Sequence, residues 1–137
     1  MSEAAIQKIL TKNDTSETGA HQAGICIPKD FHILSFFPKL DVDVKNPRTI
    51  LIVVDEADKE WCFSFIYYNN KKFGGTRNEY RLTGMTGFIK QYNLKAGDTL
   101  ILKRKGAKDL RVLFKRSSIY TTVLKLSSTW KVIDIDK

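Results

Sequence analysis

The pentapeptide RNEYR, Arg77 to Arg81, places one carboxylate between two guanidinium groups at a spacing of two. In an extended strand alternate side chains share a face. Arg77, Glu79 and Arg81 would then point one way, and Asn78, Tyr80 and Leu82 the other. Neighbours on one face lie roughly 6.5–7 Å apart, about two base-pair steps. Arginine donates a bidentate pair to guanine O6 and N7, and glutamate accepts from cytosine N4. The triplet therefore suits adjacent G·C pairs read in a major groove. It also suits an intramolecular Arg–Glu–Arg ion network on a sheet surface, and spacing alone leaves both open.

The residues just before the triplet fit the same chemistry. Lys71 and Lys72 are suited to phosphate contact. Gly74 and Gly75 allow positive φ or a close backbone approach, although Gly75 also reads as an ordinary turn. Phe73 is expected to anchor this segment on the body of the domain. A second polar stretch, Asn13 to Gly24, holds Asn13, Asp14, Thr15, Ser16 and Thr18, small residues suited to turns and phosphate hydrogen bonds. Asp14 equally suits a turn cap. His21, beside Gln22, offers one donor and one acceptor when neutral and reads as a contact residue. His32 does not.

Catalytic chemistry is poorly represented. A metal nuclease needs clustered carboxylates and usually a lysine. The nearest pattern is DVDVK, Asp41 to Lys45, in a proline-bounded loop, with no second strand supplying the missing acid. DEADKE reads as a charged hairpin tip. There is no nucleophile–base arrangement, phosphate loop or dinucleotide fingerprint. The expectation is a non-catalytic chain without a cofactor or a metal.

The elements that position these groups can be read along 137 residues, the size of one ordinary domain. Residues 1–137 are expected to form a single domain with a real core, 42% of residues being hydrophobic. No apolar run is long enough for a membrane span, and the N-terminus lacks signal-peptide features; a soluble cytoplasmic domain is expected. Cys26 and Cys62, flanked by apolar residues, are expected to be buried reduced thiols. The net charge of +8 is uneven: residues 71–116 carry 13 Lys+Arg against 3 Asp+Glu, residues 1–70 only 7 against 10. One basic face that binds a polyanion is the leading inference, a basic surface for solubility the bland one. Lys103 to Lys105, with Lys108 and Arg111, would extend that face or be solvated at a hairpin tip.

Ile6–Lys12 reads as a first strand. ICIP begins as a strand and turns helical after Pro28, with Phe31, Leu34 and Phe37 three apart and Pro38 as a stop. Thr49–Asp55 is a buried-type strand, and Glu60–Tyr68 alternates Trp61, Phe63, Phe65 and Tyr67 on one face. NEYRLT is a short strand and MTGFIKQYN a short helix. AGDTLILKRKG and KDLRVLFKR form a hairpin, and YTTVLKLS and TWKVIDID two more strands. About seven strands with two short helices give a mainly β, closed or half-closed antiparallel barrel.

Two long blocks, KNDTSETGAHQAGICIPK and IYYNNKKFGGTRNEYRLTG, resemble the N-terminal effector domain of the EcoRII restriction endonuclease, a member of the B3-like DNA-binding pseudobarrels. IPKDF and LKAGDTLILK are similar to general B3 features. The likeness spans about residues 6–116, and its tight block runs from Phe73 to Arg81. It implies a pseudobarrel that grips double-stranded DNA with two arms. Matched residue by residue, the first arm would be Lys12, Asn13, Asp14, Thr15, Thr18, Gly19, His21 and Gln22. The second would be Lys71, Phe73, Gly74, Thr76, Arg77, Asn78, Glu79 and Arg81, with Lys72 added on charge alone. Gly75 and Tyr80 stand where the EcoRII domain has lysine. The resemblance further implies a CCWGG-type target and a nuclease domain elsewhere in a parent restriction enzyme. An RNA-binding β-barrel is the alternative; it would show exposed aromatics on a sheet, for which FIYY is the one candidate. A small metal-dependent nuclease is the weaker one.

Overall fold

The structure is a computed structural model that describes residues 3–15, 24–106, 109–117 and 130–133. Within them eight strands form one sheet: β1 (Ala4–Ile9), β2 (Ile25–Ile27), β3 (Arg48–Val54), β4 (Glu60–Tyr68), β5 (Glu79–Thr83), β6 (Thr99–Arg104), β7 (Leu110–Lys115) and β8 (Trp130–Val132). Two short helices, α1 (Phe31–Leu34) and α2 (Thr86–Gln91), and one 3-10 turn at Asn70–Phe73 complete the described elements.

The sheet order is β2-β5-β4-β3-β7-β6-β1-β8. Every pairing is antiparallel except β3 with β7, where Val53 pairs with Leu110. The hydrogen-bonded ladder ends at β2 on one side and β8 on the other. The Trp130 indole on β8 donates to the Cys26 carbonyl on β2 at 3.1 Å. That bond crosses the seam and makes the sheet a nearly closed pseudobarrel.

The period-2 reading of the strands holds where one face is core. Phe63 and Phe65 of β4, Leu51 and Val53 of β3, Leu82 of β5, Leu100 and Leu102 of β6 and Val112 of β7 all point into a common interior. Full burial of each such side chain stabilises the fold by about 1.5–3 kcal/mol relative to exposure. The same alternation corrects the expectation for the cysteines. Ile25 and Ile27 face inward, so Cys26 between them faces out, and Cys62 lies outward beside inward Phe63; both thiols are free and exposed. Apolar neighbours in sequence are on the opposite face of a strand.

Element ends differ from the expectation at two places. The first strand stops at Ile9 because Thr11 and Asp14 cap each other. The Thr11 N–H donates to Asp14 Oδ2 at 3.0 Å, and the Asp14 N–H donates to Thr11 Oγ1 at 3.1 Å. The helix after Pro28 is only four residues, started by Asp30, whose side chain accepts from the His32 N–H at 2.8 Å. Ile33 is its buried residue, Phe36 and Phe37 just beyond it are also buried, and Phe31, expected on the apolar face, is 75% exposed. A single turn has no full helical face, so a spacing of three does not survive beyond Leu34. The YTTVLKLS strand lies outside the described residues.

Candidate nucleic-acid interface

β4 and β5 are joined by the excursion Asn69 to Asn78, and it is built by its own asparagines. Asn70 accepts the Arg77 N–H on its side chain at 2.7 Å and the Gly75 N–H on its carbonyl at 2.7 Å. The Lys71 N–H donates to the Arg77 carbonyl at 2.9 Å. Gly74 ends the 3-10 turn at φ +96°, a left-handed conformation that suits glycine. The result is a compact projecting arm whose tip, Lys71 to Thr76, is exposed at every residue.

Below the arm, Asn69 is 2% exposed. Its side chain donates to the Val42 and Val44 carbonyls at 3.0 and 2.9 Å and accepts the Asn46 N–H at 2.7 Å. Asn46, at φ 49°, accepts the Asn69 N–H in return at 3.2 Å. The DVDVK loop is thus a brace for the arm. Sequence reasoning missed both Asn69 and Asn70; their only signal was a paired amide at the end of a strand, a spacing shared with ordinary turns.

The Arg–Glu–Arg triplet lies on one outward face, as the alternation requires. Glu79 Oε2 receives Arg77 Nη2 at 2.7 Å and Nε at 3.0 Å. Its Oε1 is 3.5 Å from Arg81 Nε. Burial pushes the Glu79 carboxyl up, but the hydrogen bond from Arg77 and the charges of Arg81 and Arg77 outweigh it and hold the group below its ordinary value. The two arginines are not equivalent. Arg77 lies over the Tyr68 ring at 3.9 Å with its side chain 40% exposed, whereas Arg81 is 14% exposed and donates to the Gly24 carbonyl at 3.0 Å. Gly24 permits that contact: at φ +80°, any Cβ there would meet the Leu82 carbonyl oxygen at 2.0 Å.

The opposite face of β5 is fixed to the core by a run of parallel rings. Tyr67 stacks on Tyr80 at 4.2 Å, Tyr80 on Phe65 at 5.6 Å and Phe65 on Phe37 at 4.5 Å. Asn78 sits at the end of this stack, where its Oδ1 accepts from the Tyr67 hydroxyl at 2.6 Å. FIYY offers no exposed aromatic platform: Ile66 is buried, Tyr67 is stacked and Tyr68 is covered by Arg77.

Other expected contacts sort as follows. Lys12 and Asn13 are exposed at the Thr11–Thr15 turn. Asp14 and Thr15 are turned inward instead: Asp14 pairs with Lys8, both nearly buried, and the Thr15 hydroxyl donates to the Thr11 and Lys12 carbonyls at 3.3 Å. They hold the turn. Thr18, Gly19, His21 and Gln22 lie outside the described residues. Lys71 and Thr76 are exposed on the arm, and exposed Lys72 reaches the Val42 carbonyl and Asp43 at 3.2 Å. Phe73 is no anchor, being 45% exposed; the asparagine bonds and the ring stack hold the arm instead.

Lys103 to Lys105 and Arg111 do not extend the arm's face. Arg111 pairs in register with Val54, which pairs with Glu60 at the start of β4, whereas the arm follows Tyr68 at its end. Eight residue steps separate these ends, roughly 26 Å. Arg111 also has acidic neighbours, Asp109 at 3.5 Å and Asp58 at 3.9 Å. Asp55 is likewise not a solvated hairpin-tip acid: it is buried and accepts from the Trp61 indole at 2.8 Å and from the Tyr92 hydroxyl. No group of three or more His, Cys, Asp or Glu among the described residues is placed to hold a metal. No helix among them is long and apolar enough to cross a membrane.

Residues 2–119 match the family model described as restriction endonuclease EcoRII, N-terminal. The chain belongs to the EcoRII N-terminal family. Plant proteins are among the curated sequences similar to this chain. Auxin response factor 12 of Arabidopsis thaliana is 32% identical over 111 residues, 80% of this chain and 17% of the relative. Auxin response factor 11 of Oryza sativa subsp. indica is 32% identical over 120 residues, 88% of this chain and 12% of the relative. The chain thus spans less than a fifth of the length of these relatives. Among solved structures, the Arabidopsis FUS3-DNA complex matches with a TM-score of 0.63 at 18% identity, covering 82% of this chain and 96% of that one. A hypothetical Arabidopsis thaliana protein matches with a TM-score of 0.55 at 15% identity, covering 85% and 94%. The EcoRII N-terminal fold here is the B3-like pseudobarrel expected from the sequence.

Proposed function

We propose that this chain is a sequence-specific double-stranded DNA-binding domain without catalytic activity. It inserts the Asn69–Asn78 arm and the Lys12–Gln22 segment into a major groove, at a CCWGG-type site, as the recognition part of a restriction endonuclease whose nuclease domain lies elsewhere. The observation that carries this reading is the outward Arg77–Glu79–Arg81 face beneath a cationic arm. Two guanidiniums and one carboxylate, held on a rigid strand, complement guanine and cytosine edges, and the exposed lysines complement phosphate. The family model supports a restriction-system origin, and the likeness to a structure solved as a DNA complex supports DNA as the ligand.

The experiment is equilibrium binding of the purified chain to a CCWGG duplex, a scrambled duplex and a single-stranded RNA of the same length, with a selection on random duplexes beside it. Duplex preference with a selected consensus is expected. Preference for the RNA would replace the reading with the RNA-binding one. Plasmid incubated with the chain and Mg²⁺ should stay intact; nicking lost in the Asp41→Ala/Asp43→Ala double variant would make it a nuclease.

A further inference from the structure

Lys29 follows β2 where that strand runs out against the start of β5, Ile27 pairing with Tyr80. Its ammonium lies 2.7 Å from Asn78 Oδ1, the atom that also accepts from the Tyr67 hydroxyl at 2.6 Å. Chemistry fixes which end of the amide this is. An ammonium has three donors and no acceptor, so only the oxygen can face it. An amide oxygen has two lone pairs, and Lys29 and Tyr67 take both. Asn78 is left with its NH₂, which offers two donors and no acceptor.

The two holders differ. A tyrosine hydroxyl donates or accepts, so Tyr67 tolerates either orientation of the amide. Lys29 tolerates one. Tyr67 is itself held by its stack on Tyr80 and does not define the direction. Reading adenine requires both halves of an amide, oxygen accepting from N6 and nitrogen donating to N7. With its oxygen occupied, Asn78 suits an edge that presents acceptors, guanine O6 and N7 or thymine O4. Adenine would leave its outward N6–H without a partner, an unfavourable burial.

We propose that Lys29 is a positioning residue for base recognition: it locks the Asn78 amide so that the arm donates to guanine or thymine at one position and disfavours adenine there. This rests on the DNA-recognition reading above.

The test measures affinity for a selected duplex and for its variants, each changed at one base pair, with the unaltered chain, Asn78→Ala, Lys29→Met and Lys29→Arg. Both side chains are exposed, so these variants should fold, which melting curves check. Asn78→Ala should flatten preference at one base pair. Lys29→Met should raise adenine relative to guanine or thymine at that same pair by about three- to tenfold, and Lys29→Arg should restore the original preference. A Lys29→Met variant that weakens every duplex by one factor, with its salt slope reduced by about one, makes Lys29 a phosphate contact and overturns the proposal. So does an Asn78→Ala variant with no position-specific effect. If the unaltered chain shows no sequence preference, the DNA-recognition reading fails and this inference with it; if that preference stands and Lys29→Met leaves it unchanged, only the inference fails.

Discussion

The carboxylate of Glu79 accepts two hydrogen bonds from Arg77 through one oxygen, at 2.7 and 3.0 Å, and keeps the other oxygen 3.5 Å from Arg81. An ion network therefore exists on the outward face of β5, and the same atoms are those a G·C-rich groove would engage under the proposed function. The two guanidiniums differ in what else they hold: Arg81 also donates to the Gly24 carbonyl, whereas Arg77 lies over the Tyr68 ring.

Glu79→Ala distinguishes the two uses. As a cytosine reader, its loss should weaken cognate binding while binding to random duplex holds or rises, because a negative charge facing phosphate is gone. As a purely structural network, its loss should lower the melting temperature and strengthen binding to all duplexes alike. Equal gains on cognate and random DNA would sink the base-reading role.

Arg77 and Arg81 should part company on substitution. Arg77→Ala should weaken the cognate site by about 1–3 kcal/mol with little change in melting temperature, because the side chain is half-exposed and its carboxylate partner, Glu79, is only two residues away. Arg81→Ala should weaken binding and also lower stability, since Arg81 ties β5 to the Gly24 carbonyl ahead of β2. Paired titrations and melting curves check this; equal stability of the two variants would contradict the structural role of Arg81.

Salt dependence reports the phosphate contacts. With about five to eight phosphates neutralised, log affinity should fall against log salt with a slope near −0.9 per phosphate. Lys72→Ala should reduce that slope by about one unit and leave sequence preference alone. The exposed Lys72–Asp43 pair is worth at most about 1 kcal/mol and is no obstacle to phosphate contact. An unchanged slope would remove Lys72 from the interface.

Asp55 makes the fold sensitive to acid. Burial alone would raise its pKa, but hydrogen bonds from Trp61, Tyr92 and the Lys59 and Ala57 N–H groups prevail and lower it to about 2. A carboxyl with a depressed folded pKa contributes stability that is full above its unfolded value, near 3.8, and is lost as pH falls through the folded one. Melting temperature should therefore fall between about pH 4 and pH 2. Asp55→Ala should lower stability by about 2–4 kcal/mol at neutral pH and flatten that fall, because the Trp61 and Tyr92 donors lose their acceptor. A variant that keeps the full acid sensitivity would place the responsible group elsewhere.

How much was legible depended on whether the information lay in period or in partners. β4 was bounded correctly from its residues because Phe63 and Phe65 announce an inward face and turn residues close both ends. The common face of Arg77, Glu79 and Arg81 followed from the same arithmetic. The outward Cys26 and Cys62 were legible in the same alternation, being out of phase with Ile25, Ile27 and Phe63; what sequence could not supply was which polar side chains bond to distant backbone. Asn69 holds carbonyls 25 and 27 residues away, and Lys29 meets Asn78 across 49. Such pairings arise only once strand order is set. Asp14 and Thr15 look like any exposed polar turn until Lys8 and the Thr11 carbonyl are placed beside them.

The seam between Trp130 and Cys26 bears on where the domain ends. The family match stops at residue 119, yet β8 covers Ile6, Gln7 and Lys8 of β1 and its indole closes the gap to β2. A fragment cut at the family boundary would present β1 as a bare edge with unpaired N–H and C=O groups, a template for pairing with another chain. β2, only three residues long and paired with β5, would lose its second support. Self-association, rather than simple unfolding, is the failure such a truncation invites, because the strand that covers β1 goes with it.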